Sequence, residues 1–229
     1  MGKQLPKMKV CDALDTVGGL SAPSKMPSYG WSIPAKECLT GSKLREVPNS
    51  VCSGCYAMGG RYTFPNVEDA MYRRFNILMD AIADDYKRSL FVSAFAFLLN
   101  KRQLKEFRWH DSGDLQCVAH LKIIVEIAQR TPDTDHWLPC REYRIVLQYI
   151  KSGGTIPQNL NIRLSAHMID GEIPTWAYEY GMTTSGVTTG AGDCHAQQIN
   201  PETGEQFGNC GPCRRCWDRN VDHVIYHKH

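Results

Sequence analysis

"EFRWHDSGDLQCVAHLKIIVEIAQR", residues 106–130, is the stretch whose reading decides the fold. It opens with a short β-prone run and passes through a polar cluster. It closes in a helical pattern in which Val118, Leu121, Ile124, Val125 and Ala128 share one face until Pro132 stops it. A strand, a polar junction and a helix make one βα unit. The unit recurs in "HWLPCREY" (136–143), which runs into "YRIVLQYIKSGG" (143–154), where Tyr143, Val146, Leu147 and Ile150 share a face and Gly153 supplies a left-handed C-terminal residue. "LNIRLSAHMID" (160–170) and "GMTTSGVTT" (181–189) read as further strands, arriving about every 25 residues, a spacing that suits parallel strands joined by crossovers. The units are too few for a full eight-stranded barrel. The expected fold is α/β, a partial (β/α) TIM-like barrel of about five to six parallel strands, with an open doubly wound sheet as the alternative.

Working outward, residues 1–30 are rich in Gly, Pro, Ser and Lys and read as a meandering entry with at most one short strand, and "YGWSIPAKEC" (29–38) as an extended segment broken by Pro34. Asn66 is positioned to cap a helix whose Val67, Met71, Phe75, Leu78 and Ile82 form one face. "LFVSAFAFLL" (90–99) is apolar on nearly every side yet half the length of a membrane span, so it reads as a buried helix. A chain of 229 residues with no linker is expected to form one domain, with 29–190 as the partial barrel and 191–229 as a cysteine-rich, metal-binding extension. The start, "MGKQLPKMKV", has lysines but no apolar run or cleavage signal, so a reducing cytoplasm is the expected compartment. A formal net charge of +2 is too small to argue for nucleic acid.

In a reducing compartment the ten cysteines are poorly explained by disulfides, and their clustering favours metal ligation. "GNCGPCRRCWDRN" (208–220) carries Cys210, Cys213 and Cys216, with Cys194 upstream across a Gly/Asn-rich loop. Four thiolates suit either a tetrahedral zinc or a 4Fe–4S cube. Zinc ribbons pair two separate Cys-x2-Cys hairpins, whereas three cysteines at this spacing plus a remote one suit a cluster loop, so the cluster is the preferred reading. A finger completed by His223 and His227 fails on spacing, and "DHVIYHKH" (222–229) reads as an exposed tail. The second set lies in "ECLTGSKLREVPNSVCSGCYAMGG" (37–60), with Cys38, Cys52 and Cys55. Three thiolates leave one iron of a cube open. The alternative is a Cys-x2-Cys half-site sharing metal with the C-terminal loop, with Cys38 merely buried.

"SIPAKEC", "CSGCYAMGGRY", "FRWHDSGDL", "WLPCREY", "NIRLSAH" and "CGPCRRCW", in that order over residues 29–217, together resemble the phage- and plasmid-encoded gene-product-88 family, which in turn resembles radical-SAM proteins. The resemblance implies a partial TIM barrel with cysteine sets near both ends. It implies that Cys38, Cys52 and Cys55 hold a 4Fe–4S cluster whose open iron binds S-adenosylmethionine. Tyr56 would stand beside that cofactor, and Ser112, Gly113 and Asp114 where the glycine-rich acidic motif receives the methionine ammonium. The chain departs from the radical-SAM pattern in its cysteine spacing and in having Asp rather than Glu at the acidic position.

The strand ends carry His110, Asp111, Ser112, Asp114, Arg141, Glu142, Ser165, His167 and Ser185, a polar mouth of the kind at which such folds place chemistry. His110, Asp111 and Asp114 are the catalytic candidates, as base, orienting carboxylate and binding loop; against this, Asp114 can be a helix cap and His110 part of a buried network. Arg141 and Glu142 read as an ion pair across strand ends in preference to a carboxylate site, and Cys117 and Cys140 as buried thiols. Arg214 and Arg215 can tune a cluster or meet a phosphate, or be plainly solvated, and Trp217 is expected to cover the cluster. The leading expectation is an iron–sulfur protein with one or two 4Fe–4S clusters, a redox or radical-type enzyme acting on a small molecule with an electron donor as partner and no membrane. Its rivals are a zinc-stapled nucleic-acid-binding phage protein, disfavoured by the charge, and a simple electron carrier.

Overall fold

The computed structural model describes residues 8–228; the lysine-bearing start Met1–Lys7 and the terminal His229 lie outside the described residues. Six strands form one sheet in the order of the chain: β1 (Gly30–Trp31), β2 (Glu106–Trp109), β3 (Asp135–Cys140), β4 (Leu160–Ile169), β5 (Thr183–Thr188) and β6 (His223–His227). Every neighbouring pair is parallel, and β1 and β6 are left as the two edges. A parallel sheet that never reverses its winding direction puts its right-handed crossovers on one side, so this is an open, partial (β/α) barrel.

The helices are α1 (Val10–Val17), α2 (Leu39–Leu44), α3 (Pro65–Ala83), α4 (Asp85–Lys101), α5 (Val118–Arg130) and α6 (Tyr143–Lys151). Phe107 and Trp109 of β2 meet Phe95 of α4, and Trp31 meets Phe91 and Phe95, in a cluster of edge-on and tilted rings that forms the outer core. The run at 90–99 is the buried helix its composition predicts, with seven residues of α4 buried. Among the described residues no helix is long and apolar enough to cross a membrane.

Three expectations are corrected. Residues 10–17 form α1, whose Ala13 and Val17 are fully buried and whose Val17 carbonyl accepts the Trp31 indole N–H at 2.8 Å. The N-cap of α3 is Phe64, with Pro65 at the first helical position, where its missing N–H costs nothing; Asn66 is inside the helix. Residues 223–227 are the sixth strand and no tail: Val224 is buried, so the extension at 191–229 completes the sheet that 29–190 begins.

Between β5 and β6 the chain crosses the sheet without an α-helix, with one 3-10 turn at His195–Gln197. Its contacts lie on the alternate residues of the strands: Arg214 pairs with Glu106, Asn161 donates to Cys216 O at 3.0 Å, and Arg163 donates to Arg215 O at 3.0 Å. Phe107, Leu138, Ile162 and Leu164 belong to the helix-side core. Since side chains alternate along a strand, the cysteine-rich loop covers the inner face.

Candidate metal centres

The first cysteine set stands at the carboxyl ends of the strands because the segment after β1 is tied there. Glu142, just past β3 and 5% exposed, accepts from the backbone N–H and the hydroxyl of Thr40, both at 2.7 Å, fixing the helix that follows Cys38. Val51 N–H donates to His167 O at 2.9 Å, bringing Cys52 over the end of β4. Gly41 lies near both sulfurs: a Cβ there would stand 3.6 Å from Cys38 Sγ and 3.6 Å from Cys52 Sγ, in ordinary contact, and would crowd Cys38 Cβ at 3.0 Å. Cys55 follows in the turn whose N–H bonds Cys52 O. Burial pushes the Cys38 thiol well above its ordinary range, and Asp114, the other two thiols and Glu142 push the same way; Cys52 is raised by burial against the opposing charges of Arg141 and Arg45. A small recess lined by Pro34, Ala35, Met58 and Tyr62 opens beside this set, with the Lys36–Glu68 pair at its rim.

The second set lies beneath, on the inner face. Cys194, Cys210, Cys213 and Cys216 line one recess with Trp217 and Val224. Trp217 is buried, donates its indole N–H to Phe107 O at 3.0 Å and meets Trp137 edge-on at 5.1 Å. The expected cover is therefore a wall, anchored to two strands. Cys216 Sγ is 3.1 Å from Tyr226 Oη of β6; burial raises this thiol to about 11, opposed by that hydrogen bond and by Arg163 and Arg108. All ten cysteines are unbridged. Among the described residues no three His, Cys, Asp or Glu side chains already stand in a geometry that holds a single ion. The four recess sulfurs surround a space rather than a point. Chemically, a half-buried set of four thiols around one recess fits a metal–thiolate group, and the glycine-spaced set of three fits an incomplete one.

The mouth residues are placed differently from their expected roles. His110 and Asp111 do not form a base–carboxylate pair. His110 is buried, with φ +54°, faces His120 at 5.1 Å, and neither of its ring nitrogens has a partner among the described residues. Burial lowers its pKa to about 3, so it is neutral. Asp111 accepts from Tyr62 Oη at 3.0 Å through its carboxylate and from Tyr56 Oη through its carbonyl. Asp114 is not the cap of α5. Its two oxygens accept the N–H groups of Leu115 and Arg141, both at 2.7 Å, lacing the β2 loop to the end of β3, while burial raises its pKa to about 6. Gly113, at φ +84°, is pressed on Ile33, where a Cβ would come within 2.8 Å of Ile33 O, and Ser112 is buried. Ser112, Gly113 and Asp114 thus form a closed structural turn.

Arg141 and Glu142 form no ion pair: Arg141 Nε donates to Ala166 O and Glu142 serves Thr40, because the two side chains leave the strand end on different sides. Cys140 is buried as expected, Cys117 only partly. Ser185 donates to Ser165 at 3.0 Å and His167 stacks on Tyr143, so these too are structural partners. Arg214 and Arg215 pair with Glu106 and Asp193 at 2.7 and 2.9 Å and remain partly solvent-exposed. Sequence reasoning missed Tyr226, Arg163 and Arg108. The available signals were a tyrosine in an alternating run and an arginine in the middle of an apolar strand.

A family model described as Gene product 88 matches residues 6–219. Comparison with curated proteins returns no match, and comparison with solved structures returns none.

Proposed function

The chain belongs to the gene product 88 family, and since that membership assigns no chemistry we propose the function from the site: an iron–sulfur protein that carries a 4Fe–4S cluster in the four-cysteine recess and a second, three-cysteine centre at the strand mouth. The observation that carries the reading is the convergence of Cys194, Cys210, Cys213 and Cys216 on one recess of the inner face. Their spacing, three cysteines two apart plus one remote, favours a cluster over zinc.

When bound, such clusters supply one-electron transfer, and a cube with three protein ligands also offers an exchangeable position on one iron. The chain's own contribution is positional. Trp217 walls the recess, Tyr226 bonds Cys216 Sγ, Glu142 holds the Cys38 segment on β3, and Gly41 stands beside both Cys38 and Cys52. Thiols that burial keeps protonated release their protons on ligation, so loading is proton-linked and weakens in acid. The recess beside Cys38 and Cys55 is the proposed seat of a small molecule, with an external one-electron donor as the partner. Catalysis of a redox or radical type would be seated at this mouth. S-adenosylmethionine, which the radical-SAM likeness implies, does not fit at Ser112–Asp114: the turn is closed and the Asp114 carboxylate is taken by backbone N–H groups. No step is derived through it.

Anaerobic isolation tests the reading: iron with acid-labile sulfide is expected, and a colourless protein holding only zinc overturns it in favour of a zinc-stapled module. Cys213→Ser and Cys55→Ser should each lose one centre and keep the other. Loss of all iron from both variants would mean a single shared site.

A further inference from the structure

Ion pairs account for the arginines of the cysteine loop but not for two guanidiniums of the sheet beneath it. Arg163, at the middle of β4, is fully buried. Its Nη1 donates to Thr184 O at 2.8 Å, and its Nη2 donates to the carbonyls of Arg215, Val221 and Asp218 at 3.0, 3.0 and 3.3 Å. All four acceptors are neutral, and three belong to the segment around Cys216. Arg108 of β2 is part-buried, lies 4.5 Å over the Trp137 ring and reaches Met26 Sδ at 3.6 Å and Tyr56 Oη at 3.5 Å. Its Nε and that of Arg163 are buried without a hydrogen-bond partner among the described residues. Asp193 and Asp111 are close enough to be felt by Arg163 and Arg108 respectively, yet neither arginine forms an ion pair among the described residues.

A buried guanidinium whose hydrogen bonds end on neutral groups, with its carboxylate neighbour outside ion-pair range, is left with part of its charge uncompensated, which folded proteins avoid by supplying an anion. The cysteine-loop groups that reach Arg163 are backbone carbonyls and supply none. Once four thiolates hold a doubly charged cationic core, the group carries a double negative charge, and two arginines offset it. We propose that Arg163 and Arg108 are the counter-cations of an anionic metal–thiolate centre in the recess and hold its reduction potential up. The proposal rests on the iron–sulfur reading. In the redox step one electron enters from an external one-electron reductant, dithionite in the test, and the core passes to its reduced state with no bond formed or broken. The added negative charge is stabilised by both guanidiniums, so removing either makes reduction harder.

The test is a potentiometric titration, followed by electron paramagnetic resonance, of the full chain purified anaerobically, with iron counted in parallel. Arg108→Gln should lower the midpoint of the recess cluster, shifting its reduced-to-oxidised ratio about tenfold at fixed potential, about 59 mV for one electron. Arg108→Lys should restore it. Arg163→Met should lower it further or lose the iron of that centre alone. If Arg163→Met does not fold, the Arg108 pair of variants still decides. Unchanged midpoints in Arg108→Gln at full iron content overturn the proposal and leave the iron–sulfur reading standing. If wild type holds zinc instead, that reading fails, and the counter-cation role then requires Arg108→Gln to yield zinc to a chelator more readily than wild type. Equal retention, or a chain that takes up no metal, overturns it.

Discussion

The mouth and the recess are both cysteine loops laid on the same sheet, but they stand in different electrostatic surroundings. At the mouth, Cys38 has Asp114 and Glu142 as its charged neighbours, and both act with burial to keep it protonated. In the recess, Cys216 has Arg163 and Arg108, which act against burial and favour the thiolate. The anchoring differs as well. The mouth is held by polar ties from Glu142 and the β4 backbone, the recess by the buried Trp217 wall. Two loops of similar composition therefore differ in their charged neighbours: the recess faces guanidiniums, whereas the mouth is divided, Cys38 facing carboxylates and Cys52 the guanidiniums of Arg141 and Arg45.

Removing the wall is the severest way to break this comparison. Trp217→Ala deletes a buried ring, its hydrogen bond to Phe107 O and its contact with Trp137, and should cost about 3–5 kcal/mol in denaturant unfolding. Recess metal should go with it, while the Gly41 cradle keeps its own. A smaller loss would mean that the loop, and not the ring, holds the recess.

Acid probes the scaffold under the mouth. His110 and His136 are held neutral by burial with pKa values of about 3, His136 accepting the Trp109 indole N–H at 3.2 Å and lying 2.8 Å from the Thr131 hydroxyl. Their folded values lie below the unfolded one of 6.5, so the unfolded chain binds protons first, and stability is lost as the pH falls below about 6.5. Between pH 7 and 5 each should forfeit roughly 2 kcal/mol. Asp114 works the other way: its folded value of about 6 exceeds the unfolded 3.8, so protonation between them returns about 1 kcal/mol. These three groups together should give a loss of roughly 3 kcal/mol by urea titration at the two pH values, to which His120, held well below its ordinary range by burial and by His110, adds with the same sign; the loss should be reduced in His136→Gln. A flat profile would show that these histidines are charged in the folded chain.

Glu142→Gln sharpens the contrast at the mouth alone. It weakens two charge-assisted bonds to Thr40 and should cost about 1–2 kcal/mol, loosening the Cys38 segment without touching the recess. Proteolysis after the substitution should begin in residues 38–55 rather than 194–216.

Gly41→Ala should have the smallest effect on folding, within about 1 kcal/mol, since alanine favours the helix while crowding Cys38 Cβ at 3.0 Å. It should nevertheless deplete metal from the mouth set only, read by metal content of the variant and of its combination with Cys213→Ser. Full metal at the mouth would remove Gly41 from the site.

Much of the fold is legible because the signals are local. Val118–Arg130 and the Gly153 terminus follow from periodicity and stop residues within one stretch. The strand β6 is not, since His223, Tyr226 and His227 carry no apolar run and acquire a place only when β5 offers an edge. The helix α1 is only eight residues long, too short to be stable alone, and its buried Ala13 and Val17 hold it in the core beside Trp31 and α4. The candidate site divides the same way. Cysteine spacing is written along the chain, but His110 and Asp111, adjacent in sequence, turn into different surroundings because His110 adopts a left-handed backbone that breaks the strand's alternation.

By itself the sequence determined that βα units alternate, that seven cysteines fall into sets of three and four, and that glycine and proline punctuate them. These depend on covalent geometry and on neighbours within a few residues. Only the tertiary structure decided what charge stands behind each set. Arg163 meets the carbonyl of Arg215, 52 residues away along the chain, and Glu142 meets Thr40, 102 residues away. Coulomb energy depends on distance in space, and that distance is set by how β4 and β3 lie beside loops far from them along the chain.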